Sequence, residues 1–297
     1  MHLTLRQLQI FLAVAETGST AAAAVAVSLT QSAASSALNE LEGLLETRLF
    51  DRTGRRLVLN DNGRSLVPKA RRLLDGAADV ERQFTSGQGA APLRIGASTT
   101  IGNYLMPRLL AAYQREADIS QIGIRIGNTS EVVAAVADFQ IDAGFIEGPC
   151  HDPRLTAQAW LKDELVIFAS PRDELAREPR GERVSVAQLR KAKWLLREPG
   201  SGTREVVEGV LLPRLHHMTS GIAFGDSEAI KRAAAEGLGI SCLSRWVVED
   251  MLQHGSLKEL KTALPPLSRM FYIVFHPDKY MSTGLDAFLS FSRQLRL

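Results

Sequence analysis

The chain has 297 residues, a formal net charge of +2, and 45% hydrophobic and 23% charged residues, which describes an ordinary globular protein with room for two or three domains. Its two cysteines, Cys150 and Cys242, suit neither a disulfide framework nor a metal site, and no apolar run approaches the roughly 18 residues of a membrane span. The apolar stretch at 10–15 is closed by Glu16 and is too short for a signal-peptide core, so a reducing cytoplasmic setting without a membrane partner is expected.

Leu5, Leu8, Phe11, Leu12 and Ala15 recur at helical spacing and predict an amphipathic helix over 4–17, ended by Gly18. TAAAAVAV at 20–27 suits a short, tightly packed helix, with Ser19 or Thr20 as its cap. After a turn at Ser28 and Leu29, Thr30 caps a third helix whose apolar face is Ala34, Leu38, Leu41 and Leu45. Its other face carries Gln31, Ser32, Ser35, Ser36 and Asn39, short hydrogen-bonding side chains near a helix N-terminus, suited to base edges and phosphates in a major groove.

RLFDRTGRRLVLN follows, two short strands flanking Thr53, Gly54 and Arg55, with arginines at the hairpin tip. Between Arg48 and Arg72 eight basic residues are opposed only by Asp51 and Asp61, a basic stretch suited to lie along a phosphate backbone. Asn60 then caps a long helix. Leu66, Ala70, Leu73, Ala77, Val80 and Phe84 keep alternating spacings of four and three, a heptad seam that predicts pairing with a second copy. From 61 to about 86 such a helix spans about 39 Å. The polar stretch at 87–92 reads as a hinge.

These stretches carry a resemblance. Residues 3–65 are similar to the winged helix-turn-helix of LysR-type transcriptional regulators, through LRQLQIFLAVAETGS, the alanines at 23–24, TQSAAS, LNELE, RLFDR and Gly63. Two departures stand out. Glu46 replaces the glycine usual before RLF, and Ser36 stands where a basic residue is frequent, which leaves the third helix without positive charge. The resemblance extends over the whole chain. It implies a double-stranded DNA partner, with Gln31, Ser32 and Ser35 at base edges and Arg52, Arg55 and Arg56 at phosphates, a homodimer or homotetramer that bends its DNA, and a small-molecule effector.

From Leu93 onward strands and helices alternate: LRIGAS, IGIRIGN, IDAGFIE, then ELVIFAS, WLLRE, IAF, ISCLS and FYIVFH. This order predicts open parallel α/β sheets in two lobes, resembling periplasmic binding proteins as well as LysR-type effector domains. The expected organisation is a winged helix-turn-helix at 1–60, a dimerisation helix at 61–86 and an effector domain at 93–297. Its first lobe takes about 93–162 and 268–297, and its second about 163–267.

Polar turns at strand ends face the cleft between such lobes. Ser98, Thr99 and Thr100, then Asn128 and Thr129, then Ser201, Gly202 and Thr203 are the candidate effector donors, with Glu147 at the handover between lobes. Asp226 reads as a helix cap. GSGTR at 200–204 lacks the phosphate-loop pattern, no histidine pair has metal spacing, and no nucleophile–base set emerges, so neither catalysis nor a cofactor is expected. A solute-binding protein or a transferase is the alternative, but the first needs an export signal and the second a catalytic set. Cys242 reads as core, and Cys150 as a loop cysteine rather than a redox sensor. IGNYLMP, FIEGPC, REPGSGTRE and SEAIKRAAAEGLGISCLSRW are similar to the YeiE subgroup of the family. That likeness implies control linked to sulfur or iron metabolism, with sulfite, a small oxyanion, as the candidate effector.

Overall fold

The computed structural model describes residues 2–53, 56–84, 93–116, 122–177 and 182–295. Two compact units are present: Met1–Leu93 with His276–Leu289, and Arg94–Phe275 with Ser290–Leu297.

The first unit begins with α1 (Leu5–Thr17), α2 (Thr20–Ala26) and α3 (Gln31–Leu44). Each start has a local cause. Thr4 and Gln7 form a reciprocal capping box on α1, Ser19 caps α2, and Thr30 caps α3. Gly18 closes α1 in the left-handed region, where the lack of a Cβ costs nothing. Leu8, Phe11, Val14, Ala34, Leu38 and Leu41 are buried together, and the small Ala23 and Ala24 let α2 approach closely. Leu45, expected on the apolar face of α3, is exposed instead because the helix ends at Leu44 and Leu45 caps it. Glu42 takes a buried place there, accepting hydrogen bonds from Arg48 Nη1 and Leu49 N, both at 2.8 Å.

A hairpin follows, β1 (Phe50–Thr53) and β2 (Arg56–Leu59), antiparallel with Thr53 opposite Arg56. Asn60 accepts from Gly63 N at 2.9 Å to start α4 (Asp61–Phe84). Gly63 is required by contact, since a Cβ there would stand 2.2 Å from the Leu49 carbonyl oxygen. The expected heptad seam of α4 divides. Ala70 is buried in the core of its own unit and Leu66 packs against it, so these two are not free for a second copy. Leu73 and Val80 are exposed, and Ala77 between them is half-buried. The Phe84 side chain lies outside the described residues.

The second unit runs β3 (Leu93–Ser98), a π-helical turn (Ile101–Leu105), α5 (Met106–Glu116), β4 (Ile122–Gly127), α6 (Thr129–Ala137), β5 (Ala143–Glu147) and β6 (Thr156–Ala169). It continues with α7 (Val186–Lys191), β7 (Lys193–Arg197), α8 (Gly202–Leu215), β8 (Thr219–Phe224), α9 (Ser227–Ala235), β9 (Ser241–Ser244), α10 (Arg245–Gln253), β10 (Lys258–Glu259) and β11 (Leu267–Phe275). The last helix, α11 (Thr283–Gln294), ends the described chain.

The alternating pattern led to an expectation of parallel sheets, and the structure corrects it. Seven strands form one mixed sheet in the order β10-β6-β11-β5-β3-β4, with β9 on β6. β3 and β5 are parallel, and so are β7 and β8 in a separate pair. β11 runs antiparallel to both β5 and β6, and β6 antiparallel to β9. β6 and β11 make one long ribbon that crosses from one lobe to the other. β6 starts at Thr156, eight residues before the expected ELVIFAS. Its first half alternates half-buried and exposed positions and lacks a continuous apolar run, so it did not read as strand. Separate apolar clusters cover the sheet: Val132, Val136, Ile146 and Val274 in the first lobe, and Leu165, Ile167, Trp194, Leu211 and Ile240 in the second.

Candidate functional site

On the first unit, the structure exposes Gln31, Ser32, Ser36 and Asn39 on α3 and half-exposes Ser35. Ser32 Oγ lies 3.1 Å from Thr30 Oγ1, and Ser36 donates to Glu40 at 3.4 Å, so both hydroxyls have only weak local partners. Arg52 and Arg56 are exposed on the hairpin and have no ion-pair partner among the described residues. Arg55, the expected tip arginine, lies outside the described residues. The helix-to-wing turn keeps a glycine-like conformation without the glycine, since Glu46 has φ +50°.

On the second unit, the predicted donors come together, although they do not stand free. Glu147, at the end of β5, is buried. Its carboxylate accepts from Thr100 N at 2.7 Å, from Thr203 Oγ1, and from Arg269 Nη1 at 2.9 Å. Arg269 on β11 also binds Asp163 on β6 at 2.7 Å and donates to Thr203 Oγ1 at 2.7 Å. Asp163 accepts from Ser244 Oγ at 2.7 Å. Arg269 and Asp163 side chains are 0% exposed and Glu147 2%. One guanidinium thus holds two buried carboxylates and a hydroxyl, where the ribbon passes between the lobes.

Burial alone would raise the Glu147 carboxyl, but the Arg269 charge and the hydrogen bonds from Thr203, Ser98 and Thr100 outweigh it and hold the group below the usual carboxylate range. For Asp163 burial wins, and its carboxyl is pushed up despite Arg269 and Ser244. Three buried polar atoms of this cluster lack a well-formed hydrogen bond: Ser98 Oγ, Thr100 Oγ1 and Arg269 Nη2.

The remaining turns bond across the cleft. Thr129 Oγ1 donates to the Glu147 carbonyl at 3.3 Å and accepts from Gly202 N at 3.2 Å, while Ser130 N donates to Gly200 O at 3.1 Å. Gly202 is required here, because a Cβ would fall 1.6 Å from the Glu147 carbonyl oxygen. Asn128 and Ser201 are spent as N-caps of α6 and α8, and Asp226 caps α9. The turns were expected to leave a cradle of free donors for an anion. Their donors are instead largely satisfied by each other and by Glu147.

Sequence reasoning missed Arg269, Asp163 and Arg197. Arg197, at the end of β7, is buried and donates to Ser227 Oγ at 2.9 Å and to Thr99 Oγ1 at 3.3 Å, so it too bridges the lobes. On the same side Tyr104, in the π-helical turn, bonds Glu228 of α9, and the buried Lys231 Nζ donates to Tyr104 Oη at 3.3 Å. An available signal was a lone charge inside an apolar strand, as in LSRMFYIVF. A cavity of about 460 Å³ opens beside the Thr129 and Ser201 turns, lined also by His151, Arg204, Glu205 and Glu208, but the Glu147 cluster does not line it. Burial raises the Cys150 thiol and pushes Cys242 up to about 12, which disfavours the thiolate form at both positions. Among the described residues no group of three His, Cys, Asp or Glu is placed to hold a metal, and no single helix is long and apolar enough to cross a membrane.

Residues 5–64 match the model of the bacterial regulatory helix-turn-helix proteins of the lysR family, and residues 86–296 match the LysR substrate binding domain. The chain belongs to the LysR family. This LysR regulator is 48% identical over 291 residues to the uncharacterized HTH-type transcriptional regulator YeiE of Escherichia coli K12, covering 98% of this chain and 97% of YeiE. A full-length OxyR variant of Pseudomonas aeruginosa has the same fold, with TM-score 0.77, 21% identity, and 99% and 96% of the two chains covered. Full-length CbnR, solved with its target DNA, matches with TM-score 0.63 and 20% identity over 98% and 99% of the chains. The chain is a LysR-type transcriptional regulator with an effector-binding domain.

Proposed function

We propose that this regulator binds operator DNA through α3 and the β1–β2 wing, pairs through α4, and is switched by a small oxyanion held between the lobes, with sulfite as the candidate. Gln31, Ser32 and Ser35 would meet base edges, with Ser36 and Asn39 on the same DNA-facing side of α3, while Arg52, Arg55 and Arg56 would meet phosphates. Leu73, Ala77 and Val80 would form the part of the seam that a second copy covers, with Phe84 continuing it, and two dimers would assemble into the tetramer on DNA. A regulator of this kind works where the chromosome is, in the cytoplasm.

The observation that carries the effector reading is the pair of buried, unpartnered donors Thr100 Oγ1 and Arg269 Nη2 beside the Glu147 carboxylate, with Ser98 Oγ turned to that carboxylate without a well-formed bond. Buried polar groups without partners cost free energy, and a ligand that accepts from them recovers it. Glu147 adds a condition. An oxyanion entering beside a carboxylate must bring a proton for it to accept, or Glu147 must hold one. Hydrogen sulfite brings its own proton, whereas fully ionised sulfate needs a protonated Glu147, which the lowered carboxyl disfavours.

The test is a thermal-shift series on the whole protein at matched ionic strength, with sulfite, sulfate, thiosulfate, phosphate and small carboxylates. A rise selective for sulfite, lost in Thr100→Val and in Ser98→Ala, is the expected result. A shift with a carboxylate and none with any inorganic oxyanion would overturn the oxyanion reading and leave the regulator standing.

A further inference from the structure

Arg269 ties Glu147, Asp163 and Thr203 together inside the cleft, and it sits on β11 only six residues before that strand ends at Phe275. Six residues of strand span about 20 Å. From His276 the chain belongs to the other compact unit, the one that contains α4 and the winged helices. An ion pair and a close approach place the segment there. Lys279, with its side chain 6% exposed, forms an ion pair with Asp75 of α4. Tyr280 lies beside Gly76, where its ring is 3.9 Å from the position a Cβ would take.

The charge pattern continues along α4. One turn before Asp75, on the same helix face, Arg71 pairs with Glu16 of α1 at 2.5 Å, and the Arg71 side chain is 11% exposed. α1 packs at the centre of the winged-helix core. A charged series therefore runs from Lys279 through Asp75 and Arg71 to Glu16, and the strand leading into Lys279 carries the arginine of the cleft.

We propose that the segment 276–282 is the coupler between the effector cleft and the DNA-binding unit, with Lys279 and Asp75 as its positioning pair. A change in the Glu147–Arg269–Asp163 network alters the register and tension of β11, and the Lys279–Asp75 pair delivers that change to α4. Such a pair is suited to transmit force, because separating a largely buried lysine from its carboxylate leaves an uncompensated charge. The coupling rests on the regulator reading above, yet its test needs neither effector nor DNA, so the two can fail separately.

The test follows amide hydrogen exchange of the full chain, with the cleft perturbed by Glu147→Gln. Altered exchange in β5 and α8 is the internal control for that perturbation. In the Lys279 background, exchange across residues 66–82 of α4 is expected to change about fivefold or more. In a Lys279→Met background the α4 response should fall away while β5 and α8 respond as before. Lys279→Arg, which keeps the charge, should restore the α4 response. An α4 response that survives Lys279→Met unchanged, or an α4 that never responds while β5 and α8 do, overturns the coupling.

Discussion

Replacing Gly202 by alanine should open the cleft. The added Cβ would stand 1.6 Å from the backbone oxygen of Glu147, whereas real Cβ contacts essentially never fall below 3.0 Å. The N-terminus of α8 must therefore retreat from the end of β5 by about 1.4 Å or more. Both partners are backbone, so no side-chain rotation can absorb the shift. A movement of that size breaks the cross-cleft bonds Gly202 N to Thr129 Oγ1, Ser130 N to Gly200 O, and Thr203 Oγ1 to the Glu147 carboxylate.

Neutral hydrogen bonds contribute about 0.5–1.5 kcal/mol each and a bond to a charged group about 1.5–3, so the closed arrangement loses about 2.5–6 kcal/mol. For an effector domain of this size, each kcal/mol is about 2–4 °C in Tm, and a fall of about 5 °C or more is expected by scanning calorimetry. Amide exchange should rise at the start of α8 and the end of β5, with the winged-helix core unchanged. Small-angle scattering of the effector domain should show a larger radius. A Gly202→Ala protein with unchanged melting and unchanged exchange at α8 would refute the claim that these turns close on one another.

Three further outcomes follow from the same contacts. Glu147 has its carboxyl held below the ordinary value of 4.5, so it contributes stability that is present above that value and lost as pH falls through its lowered one; Glu147→Gln should be less stable at neutral pH, and a urea-titration gap that did not narrow in acid would contradict the assignment. Glu46→Gly should relieve about 1–2 kcal/mol of left-handed strain, offset by about 0.5–1 kcal/mol of added freedom in the unfolded chain, and so raise stability slightly; a drop in Tm would show that the Glu46 side chain has a role. Arg52→Ala and Arg56→Ala should each weaken binding to any duplex and reduce the salt-dependence slope by about 1, as read by fluorescence anisotropy across salt concentrations; unchanged slopes would remove the wing from the phosphate contacts.

The helices of the DNA-binding unit were legible because their signals are local. Ser19, Thr30 and Asn60 each announce a helix start within a few residues, and the structure finds all three in capping positions, while Thr4, read as the first helical residue, is itself the cap of α1. The heptad seam was only half legible. Spacing along a helix says which residues share a face, not what lies opposite, and Leu66 and Ala70 face α4's own unit. The strands of the effector domain were visible by their apolar runs, while their directions were not, since β6 and β11 return antiparallel through connections that carry no periodicity.

The cleft was the harder case, for a related reason. Asp163 and Arg269 lie 106 residues apart, and each alone reads as a charge on the solvent side of a strand. Only the register of β6 against β11, which sets them directly opposite, turns two surface-like residues into a buried pair. Glu147 then changes the meaning of the polar turns. Hydroxyls and helix N-termini converging at strand ends indicate that negative charge is wanted, and a sequence cannot say whether a ligand or the protein supplies it. Here the protein supplies much of it, and under the proposed reading Thr100 Oγ1 and Arg269 Nη2 are the donors left for an effector. An effector that competes with Glu147 for Thr100 N and Thr203 Oγ1 must also disturb Arg269, because the same guanidinium nitrogen binds both Glu147 and Thr203. On the proposed reading, occupancy of the cleft would therefore shift β11 through Arg269.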